Sequence, residues 1–314
     1  MALTIGIDYS SNAWKTCLME NGRILELHSF PDAPAALKYL KQTCAVYPEP
    51  IITIASDTGT LFAPLHTLNE QNMQNAATAK QGEHQQPKEA AGFLIALGSA
   101  NLNSYSLPSI RHLPSIPSHR RQTRLDMGSS EKLCAVTTLL YRMRRQEAIW
   151  PEMRFLYVDV SQNSRSIVVI EDGRIVNGIG ETAGTQPDVG LEDYLQAEEI
   201  SANFREALIN QAYWEGLTQD LAGLMAIHHL EDIVVTGPRK QAVIERMADR
   251  YQFYEFPHAE YEQEGFESAI GAALIAEGLY HPGLAAEVIE RLQLPQASNR
   301  LRNRLLLSSM KSKK

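Results

Sequence analysis

An internal repeat constrains this chain more than any other feature of its sequence. Residues 5–24 and residues 156–175 align without gaps at a constant offset of 151. Repeated sequence at a fixed spacing predicts a repeated supersecondary unit. The identical pairs are Asp8 with Asp159, Ser10 with Ser161, Asn12 with Asn163, and Gly22-Arg23-Ile24 with Gly173-Arg174-Ile175.

Each copy of the repeat has the pattern of three consecutive strands. An apolar segment ends in an aspartate and is followed by a short polar turn, a second apolar segment, a tight turn and a third segment. The tight turns are Asn21-Gly22 and Asp172-Gly173. Such pairs favour two-residue hairpin turns, because both central residues must adopt positive φ. Each copy therefore predicts a β-β-β meander.

Similar elements follow both copies and extend the repeat. A helical pattern over 35–46 and an apolar strand over 51–56 follow the first copy, whereas a helix over 201–228 and a strand over 232–236 follow the second. Each half thus has the predicted element order β-β-β-α-β, and two such halves predict an α/β protein of two lobes. We place the lobes at 1–150 and 151–297, with a helix over 129–145 before the boundary and a basic tail over 298–314.

Composition narrows the functional classes. The chain is 44% hydrophobic and 21% charged, which suffices for a sizeable core, and its net charge of -8 disfavours nucleic acid as a partner. Cys17, Cys44 and Cys134 are far apart, and this spacing favours reduced thiols. No apolar run reaches the length of a membrane span, and no signal peptide is visible. We therefore expect a cytoplasmic protein without a membrane partner, and both a monomer and a homodimer remain open.

Two basic segments stand out against this acidic background. The tail over 298–314 contains six Lys and Arg and no acid, and is either a solvated end or an amphipathic helix that docks on a partner. The other segment lies in a loop over 104–128 that contains Pro108, Pro114 and Pro117. Loops of this length inside compact domains are usually functional or disordered, and the basic residues here favour a function.

The repeat and two motifs together resemble a known superfamily. Two lobes that each open with a strand, an aspartate and a polar hairpin resemble the superfamily of acetate and sugar kinases, heat-shock chaperone ATPases and actin. The segments Leu107-Pro-Ser-Ile and Arg124-Leu-Asp-Met-Gly-Ser-Ser-Glu-Lys-Leu further resemble a family of predicted butyrate kinases. The resemblance implies two RNase H-like (actin-like ATPase) lobes with a nucleotide cleft between them.

The resemblance also implies a set of binding residues, with ATP and Mg2+ as cofactors. Asp8, Ser10 and Ser11 would form the first phosphate hairpin, and Asp159, Ser161 and Asn163 the second. The two aspartates would hold hydrated Mg2+, which keeps several waters and takes only one or two carboxylates. Gly237 would let adenosine approach the backbone. Independently of the resemblance, Lys15 would contact a phosphate if it projects into the cleft, and is otherwise an exposed lysine on a half-buried strand. A turn-starting role for the aspartates and a strand-to-helix turn at Gly237 are the structural alternatives.

The loop before the helix over 129–145 is the predicted acceptor site. Asp126 would act as general base or positioning residue, and Asp126 and Asp8 are the two predicted catalytic residues. An anionic substrate would be bound by Arg120, Arg121 and Arg124. The helix N-terminus at Ser129 would add attraction for anions. The alternative is a helix cap at Ser129 or Ser130 with solvated arginines.

Three functional hypotheses follow. The first is an ATP-dependent small-molecule kinase, a phosphotransferase acting on a small anionic or hydroxylated acceptor such as a carboxylate. The second is a non-catalytic or slowly hydrolysing nucleotide-binding regulatory protein. It is favoured by Ser10-Ser11 and Gln162-Asn163, which stand where the superfamily's hairpins usually contain glycine. The third is a scaffold that keeps the fold without a ligand.

Overall fold

The computed structural model describes most of the chain and confirms the two-lobed α/β architecture. The described residues are 3–10, 13–47, 49–55, 62–67, 86–124, 126–161, 164–181, 202–258 and 264–297. Ser11, Asn163 and the basic tail over 298–314 lie outside these ranges.

The first half of the chain forms a mixed sheet. Its strands are β1 (Leu3–Ser10), β2 (Ala13–Glu20), β3 (Arg23–Phe30), β4 (Ile51–Ala55), β5 (Ala63–Pro64) and β6 (Ser104–Ser106), in the order β3-β2-β1-β4-β6-β5. Within it, β1 runs antiparallel to β2 and parallel to β4.

The second half forms an equivalent sheet. Its strands are β7 (Phe155–Val160), β8 (Arg165–Glu171), β9 (Arg174–Ile179), β10 (Asp232–Thr236) and β11 (Gln252–Glu255), in the order β11-β10-β7-β8-β9. Here β7 runs antiparallel to β8 and parallel to β10, as β1 does to β2 and β4.

Eight α-helices lie in the described ranges. They are α1 (Ala33–Val46), α2 (Gln86–Ser99), α3 (Ser118–Thr123), α4 (Ser130–Arg145), α5 (Ala202–His228), α6 (Lys240–Met247), α7 (Glu267–Tyr280) and α8 (Leu284–Arg291). The predicted helices over 35–46, 129–145 and 201–228 are thereby confirmed to within two residues. None of the helices in these ranges combines the length and apolar character that crossing a membrane requires.

The repeat is confirmed down to its irregularities. Asn21 and Asp172 have φ of 49° and 51°, and Gly22 and Gly173 have φ of 72° and 70°. The pairing of β2 with β3 shifts register between Leu18 and Met19, and that of β8 with β9 shifts between Val169 and Ile170, which are the matching positions at the repeat offset. Both halves therefore use one meander with the same turn and the same bulge.

The two halves exchange helices across the boundary near residue 150. Helix α7 belongs to the second half of the chain but packs on the first sheet, where Thr53 Oγ1 donates to Ala272 O at 2.6 Å. A Cβ on Gly6 would overlap the Ala269 carbonyl oxygen, so only glycine admits the helix this close to β1. Helix α4 in turn shares an apolar cluster with Tyr157 and Val168 of the second sheet. Neither half therefore encloses its core alone, and the boundary stays a prediction.

The Pro-rich segment is a packed connection rather than a long irregular loop. It contains a 3-10 turn over Ile110–His112 and the short helix α3. Ile110, Leu113 and Ile116 are fully buried, and they share the apolar cluster of α4. The predicted loop over 104–128 thus contains regular elements in its described part, because its apolar residues fill a core.

Candidate functional site

Asp8 near the end of β1 is one of the two repeated aspartates, and it is almost completely buried, with 1% of its surface exposed. Its Oδ2 accepts a hydrogen bond from Ser10 Oγ at 2.7 Å, whereas its Oδ1 has no hydrogen-bond partner in the part of the chain that the structure describes. Burial raises the pKa of Asp8 to about 6, although the Ser10 hydrogen bond and Lys15 oppose this shift. A buried, unpaired carboxylate oxygen indicates a place for a ligand or an ion.

Lys15 lies beside this aspartate and joins the two halves. It is opposite Asp8 in the β1–β2 register. Its Nζ donates to Ser10 Oγ at 3.2 Å and to the carbonyl oxygen of Gly265 at 2.6 Å. Because Gly265 lies next to Phe266, the N-cap residue of α7, Lys15 connects the first hairpin to the N-terminus of that helix.

Asp159, the repeat partner of Asp8, is held by a lysine from another part of the chain. Lys132 is 5% exposed and lies in the first turn of α4. Its Nζ is 2.6 Å from Asp159 Oδ2, 3.1 Å from Glu131 Oε1 and 3.2 Å from Glu181 Oε1. This lysine therefore joins the first half of the chain to the end of β7 in the second.

The charges around Lys132 perturb one another strongly. Burial alone would lower the pKa of Lys132, but Asp159, Glu131 and Glu181 outweigh it and raise the pKa well above its usual value. The pKa of Glu131 is raised to about 8, mainly by burial; Lys132 opposes this shift, and the neighbouring carboxylates of Asp8 and Asp159 add to it. Perturbed groups of this kind gather at functional sites more often than elsewhere.

The N-terminal ends of α4 and α7 meet at the same place. Ser268 Oγ donates to the carbonyl oxygen of Glu131 at 3.1 Å, and Thr138 Oγ1 donates to that of Glu267 at 2.7 Å. Glu267 also accepts a hydrogen bond from Gly265 N at 3.0 Å and contributes to the raised pKa of Asp8. We call the converging residues the cleft cluster; its members are Asp8, Lys15, Glu131, Lys132, Asp159, Glu181 and Glu267.

The predicted phosphate hydroxyls lie at the two hairpins but engage their own surroundings. Ser10 Oγ donates to Asp8, and Ser161 Oγ accepts from Ser164 N at 3.0 Å and closes the second turn. Gly237 has a φ of 97° and lies against the end of β7, where an added Cβ would be 2.8 Å from Asp159 Oδ1. Its lack of a side chain is therefore a packing requirement beside the second aspartate.

The predicted acceptor residues lie where the Pro-rich segment packs on β9. Arg120 Nη1 donates to Val176 O at 2.8 Å, and Arg124 Nη1 donates to Gly178 O and to Asn177 Oδ1, each at 3.2 Å. These two arginines fasten the segment to the second sheet. Arg121, in contrast, makes a 3.5 Å contact with Ser118 Oγ within α3.

Asp126 and Ser129 shape the start of α4. Asp126 Oδ1 accepts from Gly128 N at 3.0 Å and lies against Gly180, where any Cβ would overlap it. Ser129 occupies the N-cap position but makes no capping hydrogen bond, and its buried Oγ has no hydrogen-bond partner in the described ranges. The side-chain cap expected as the alternative at Ser129 is thus not formed.

Sequence reasoning missed the central part played by Lys132, Glu131 and Glu267. One signal was available, because a lysine in the first turn of a helix opposes the helix dipole. A cation there favours acidic partners, and Lys132 has its neighbour Glu131 and two from elsewhere in the fold, Asp159 and Glu181. Which acids supply them depends on how the two halves meet, and local sequence does not specify that.

The donor set of the cleft cluster suits a hard cation. Its carboxylate oxygens include the unpaired Oδ1 of Asp8. No group of three or more His, Cys, Asp or Glu side chains placed to hold a metal ion occurs in the described ranges. A metal here would thus rely on one or two carboxylates and on water, which is the coordination that Mg2+ accepts.

Comparison with known proteins assigns the chain to a family and a fold. The profile of the family "Protein of unknown function (DUF1464)" matches residues 6–190, and the chain belongs to this family. No curated protein matches the sequence.

Solved structures supply the fold. Acetate kinase from Porphyromonas gingivalis is similar with a TM-score of 0.50 at 12% identity, covering 78% of this chain and 86% of that one. Acetate kinase from Entamoeba histolytica follows with a TM-score of 0.49 at 10% identity, covering 79% and 87%. The polyphosphate/ATP-glucomannokinase from Arthrobacter sp. strain KM gives 0.45 at 15% identity, covering 88% and 98%. The two equivalent sheets, together with the likeness to the Porphyromonas gingivalis enzyme, show the two-lobed actin-like ATPase fold.

Proposed function

We propose that this protein is an ATP-dependent phosphotransferase that binds Mg-ATP between its lobes and acts on a small anionic or hydroxylated acceptor. The observation that carries the proposal is the unpaired, buried Oδ1 of Asp8, at the point where two repeated hairpins and two helix N-termini converge. Helix N-termini and hairpin N–H groups attract phosphate. The fold shared with acetate kinase is consistent with this placement.

Each member of the site has a role in the proposal. Asp8 and Asp159 would hold Mg2+, which neutralises charge that develops on a transferred phosphoryl group. The hydroxyls of Ser10 and Ser161 would turn from their present partners toward phosphate oxygens. Ser11 and Asn163, which lie outside the described residues, are proposed as further phosphate ligands. Lys15 would add a positive charge beside the first hairpin, and Gly237 would border the adenosine.

The acceptor is proposed to bind beside the Pro-rich segment. Arg120, Arg121 and Arg124 would supply the cations, and Asp126 would orient the attacking oxygen. A carboxylate acceptor, such as butyrate, is already ionised and needs no general base, so Asp126 would only position it. For an alcohol, Asp126 would also accept the proton.

Isothermal titration of the full chain with ADP, with and without Mg2+, tests the nucleotide site. Asp8→Asn should weaken Mg-ADP binding by about tenfold, because it removes a cation ligand and keeps the shape. Asp249→Asn is the matched control, since Asp249 is exposed on the surface and its loss should change nothing. Absence of binding heat with either nucleotide at millimolar concentration would reject the proposal.

A regulatory nucleotide-binding protein is the second candidate. It is favoured because Arg120 and Arg124 donate hydrogen bonds to backbone carbonyl groups of β9. Two of the three arginines proposed to bind the acceptor are thus already engaged. A panel of small acids and polyols assayed for ADP release distinguishes the two functions. Tight nucleotide binding with no acceptor-dependent ADP release would favour regulation over phosphotransfer.

A further inference from the structure

Lys132 is placed as a metal ion would be placed in the cleft cluster. Its ammonium group is 2.6 Å from Asp159 Oδ2 and also contacts Glu131 and Glu181. It is 5% exposed, so water contributes little to its solvation. Carboxylate oxygens are also the ligands that a divalent ion prefers, so the ammonium group and a metal ion would draw on the same Asp159 carboxylate.

The cluster contains more acidic than basic groups. Lys132 and Lys15 face the carboxyl groups of Asp8, Glu131, Asp159, Glu181 and Glu267. Asp159 is 17% exposed, Glu131 26% and Glu181 44%, so removal of Lys132 would leave a demand for positive charge mainly at the Asp159 carboxylate. The remaining oxygens could then meet that demand with a metal ion.

We propose that Lys132 is the resident cation of the cleft cluster and competes with divalent metal for the carboxylate of Asp159. While the ammonium occupies its place, a metal ion reaches Asp159 only by displacing it. Lys132 therefore sets the metal affinity of the protein, and does so without nucleotide. The inference stands whether or not phosphotransfer is the activity, because its test uses metal alone.

The test is titration of the full chain with Mn2+, followed by the electron paramagnetic resonance signal of the free ion. Lys132→Met should bind one Mn2+ about tenfold or more tighter than the wild type, because the competing charge is gone. Adding Asp159→Asn to Lys132→Met should abolish the gain. Equal affinity in the wild type and Lys132→Met, or a gain that survives Asp159→Asn, overturns the proposal.

Two further variants separate this effect from a general loss of positive charge. Lys240 is the matched control, since its Nζ also pairs with two acids, Glu264 at 2.6 Å and Glu255 at 3.1 Å. Lys240→Met should leave Mn2+ affinity unchanged, and a gain equal to that of Lys132→Met contradicts the proposal. Lys132→Arg keeps the charge and should bind Mn2+ no better than the wild type does.

A stability measurement covers the case in which Lys132→Met folds poorly. Mn2+ should raise the Tm or the refolding yield of Lys132→Met, and of the polar variant Lys132→Gln, more than it raises those of the wild type. Binding to the native state alone stabilises that state. If Mn2+ rescues neither variant, Lys132 is a structural ion-pair partner only and the proposal fails.

Discussion

The two repeated hairpins share one backbone but have different cations beside their aspartates. Asp8 has a lysine on its own hairpin, because Lys15 is its register partner on β2. The register partner of Asp159 on β8 is Ser166, and its cation comes instead from Lys132 on α4. A repeated backbone therefore does not require a repeated charge arrangement, since side chains from outside the repeat can supply what the copy lacks.

The surroundings of the first strands differ as well. Gly6 of β1 lies under α7. The matching residue of β7 is Tyr157, whose buried side chain fills the equivalent space itself. The third strands also differ, since β3 is largely exposed while β9 is mostly buried beneath the Pro-rich segment. The first copy is thus shaped to receive a helix, and the second to receive the Pro-rich segment.

The largest effect is expected from Gly6→Ala. The new Cβ would overlap the backbone of α7, which cannot withdraw without breaking the Thr53–Ala272 hydrogen bond. We expect a loss of about 3 kcal/mol in the free energy of unfolding, measured by urea denaturation. The control is Gly223→Ala, where the Cβ meets no atom within 4 Å and the helix should gain up to about 1 kcal/mol. Equal effects at both glycines would refute the close approach at Gly6.

A difference between the two aspartates is expected next. Asp159→Asn should cost about 2 kcal/mol, because it weakens the hydrogen bond to the buried ammonium of Lys132. Asp8→Asn should change stability by less than about 1 kcal/mol, because it relieves a buried charge while keeping an acceptor for Ser10. Thermal unfolding at neutral pH measures the loss of stability in each variant relative to the wild type. The same loss in each would mean that the two sites are equivalent after all.

A smaller loss of stability is expected where the Pro-rich segment packs on β9. Arg124→Ala removes hydrogen bonds to Gly178 and Asn177 and should lower stability by about 1 kcal/mol. Arg121→Ala serves as the control, since its 3.5 Å contact lies on the surface and its loss should cost less than about 0.5 kcal/mol. Both values come from denaturant titration, and a reversed order would show that the segment is held by its apolar residues alone.

The smallest effect concerns the matching turns. Gly22 N donates to Glu277 Oε2 at 2.6 Å, whereas Gly173 N donates to the Met153 carbonyl oxygen at 3.0 Å. Burial raises the pKa of Glu277, and the Gly22 hydrogen bond opposes the shift. Between the pKa of Glu277 in the unfolded chain and its raised pKa in the folded protein, the folded state retains a proton that the unfolded chain has lost. The free energy of unfolding therefore falls as the pH rises through this range.

Replacing that carboxyl group tests the difference between the turns. Relative to the wild type, Glu277→Gln should be more stable at about pH 8 than at about pH 5, by a few tenths of a kcal/mol. Melting curves at the two pH values provide the measurement. A Tm difference that does not change with pH would show that Glu277 does not titrate in this range.

Local sequence predicted the repeated elements well, because turn pairs such as Asn21-Gly22 and apolar strands are short-range signals. The cleft cluster was only half predicted. Asp8 and Asp159 were found through the repeat, but the partnership of Lys132 with Asp159 spans 27 positions and depends on the exchange of helices between the halves. The arginines were assigned by charge alone, and their contacts with β9 depend on how the Pro-rich segment packs.

The crossing of α4 and α7 has a mechanical consequence. A Cβ on Gly271 would overlap the backbone of Cys134, so the two helices touch there without side chains between them. Such a contact resists sliding, so any rotation of one helix against the other would turn about this point. Glu131 and Glu267 lie three and four residues from it, or roughly 5–6 Å along each helix axis. With so short a lever arm, a rotation that swings the outer strands by several ångströms would displace these two carboxylates by only a fraction of that distance.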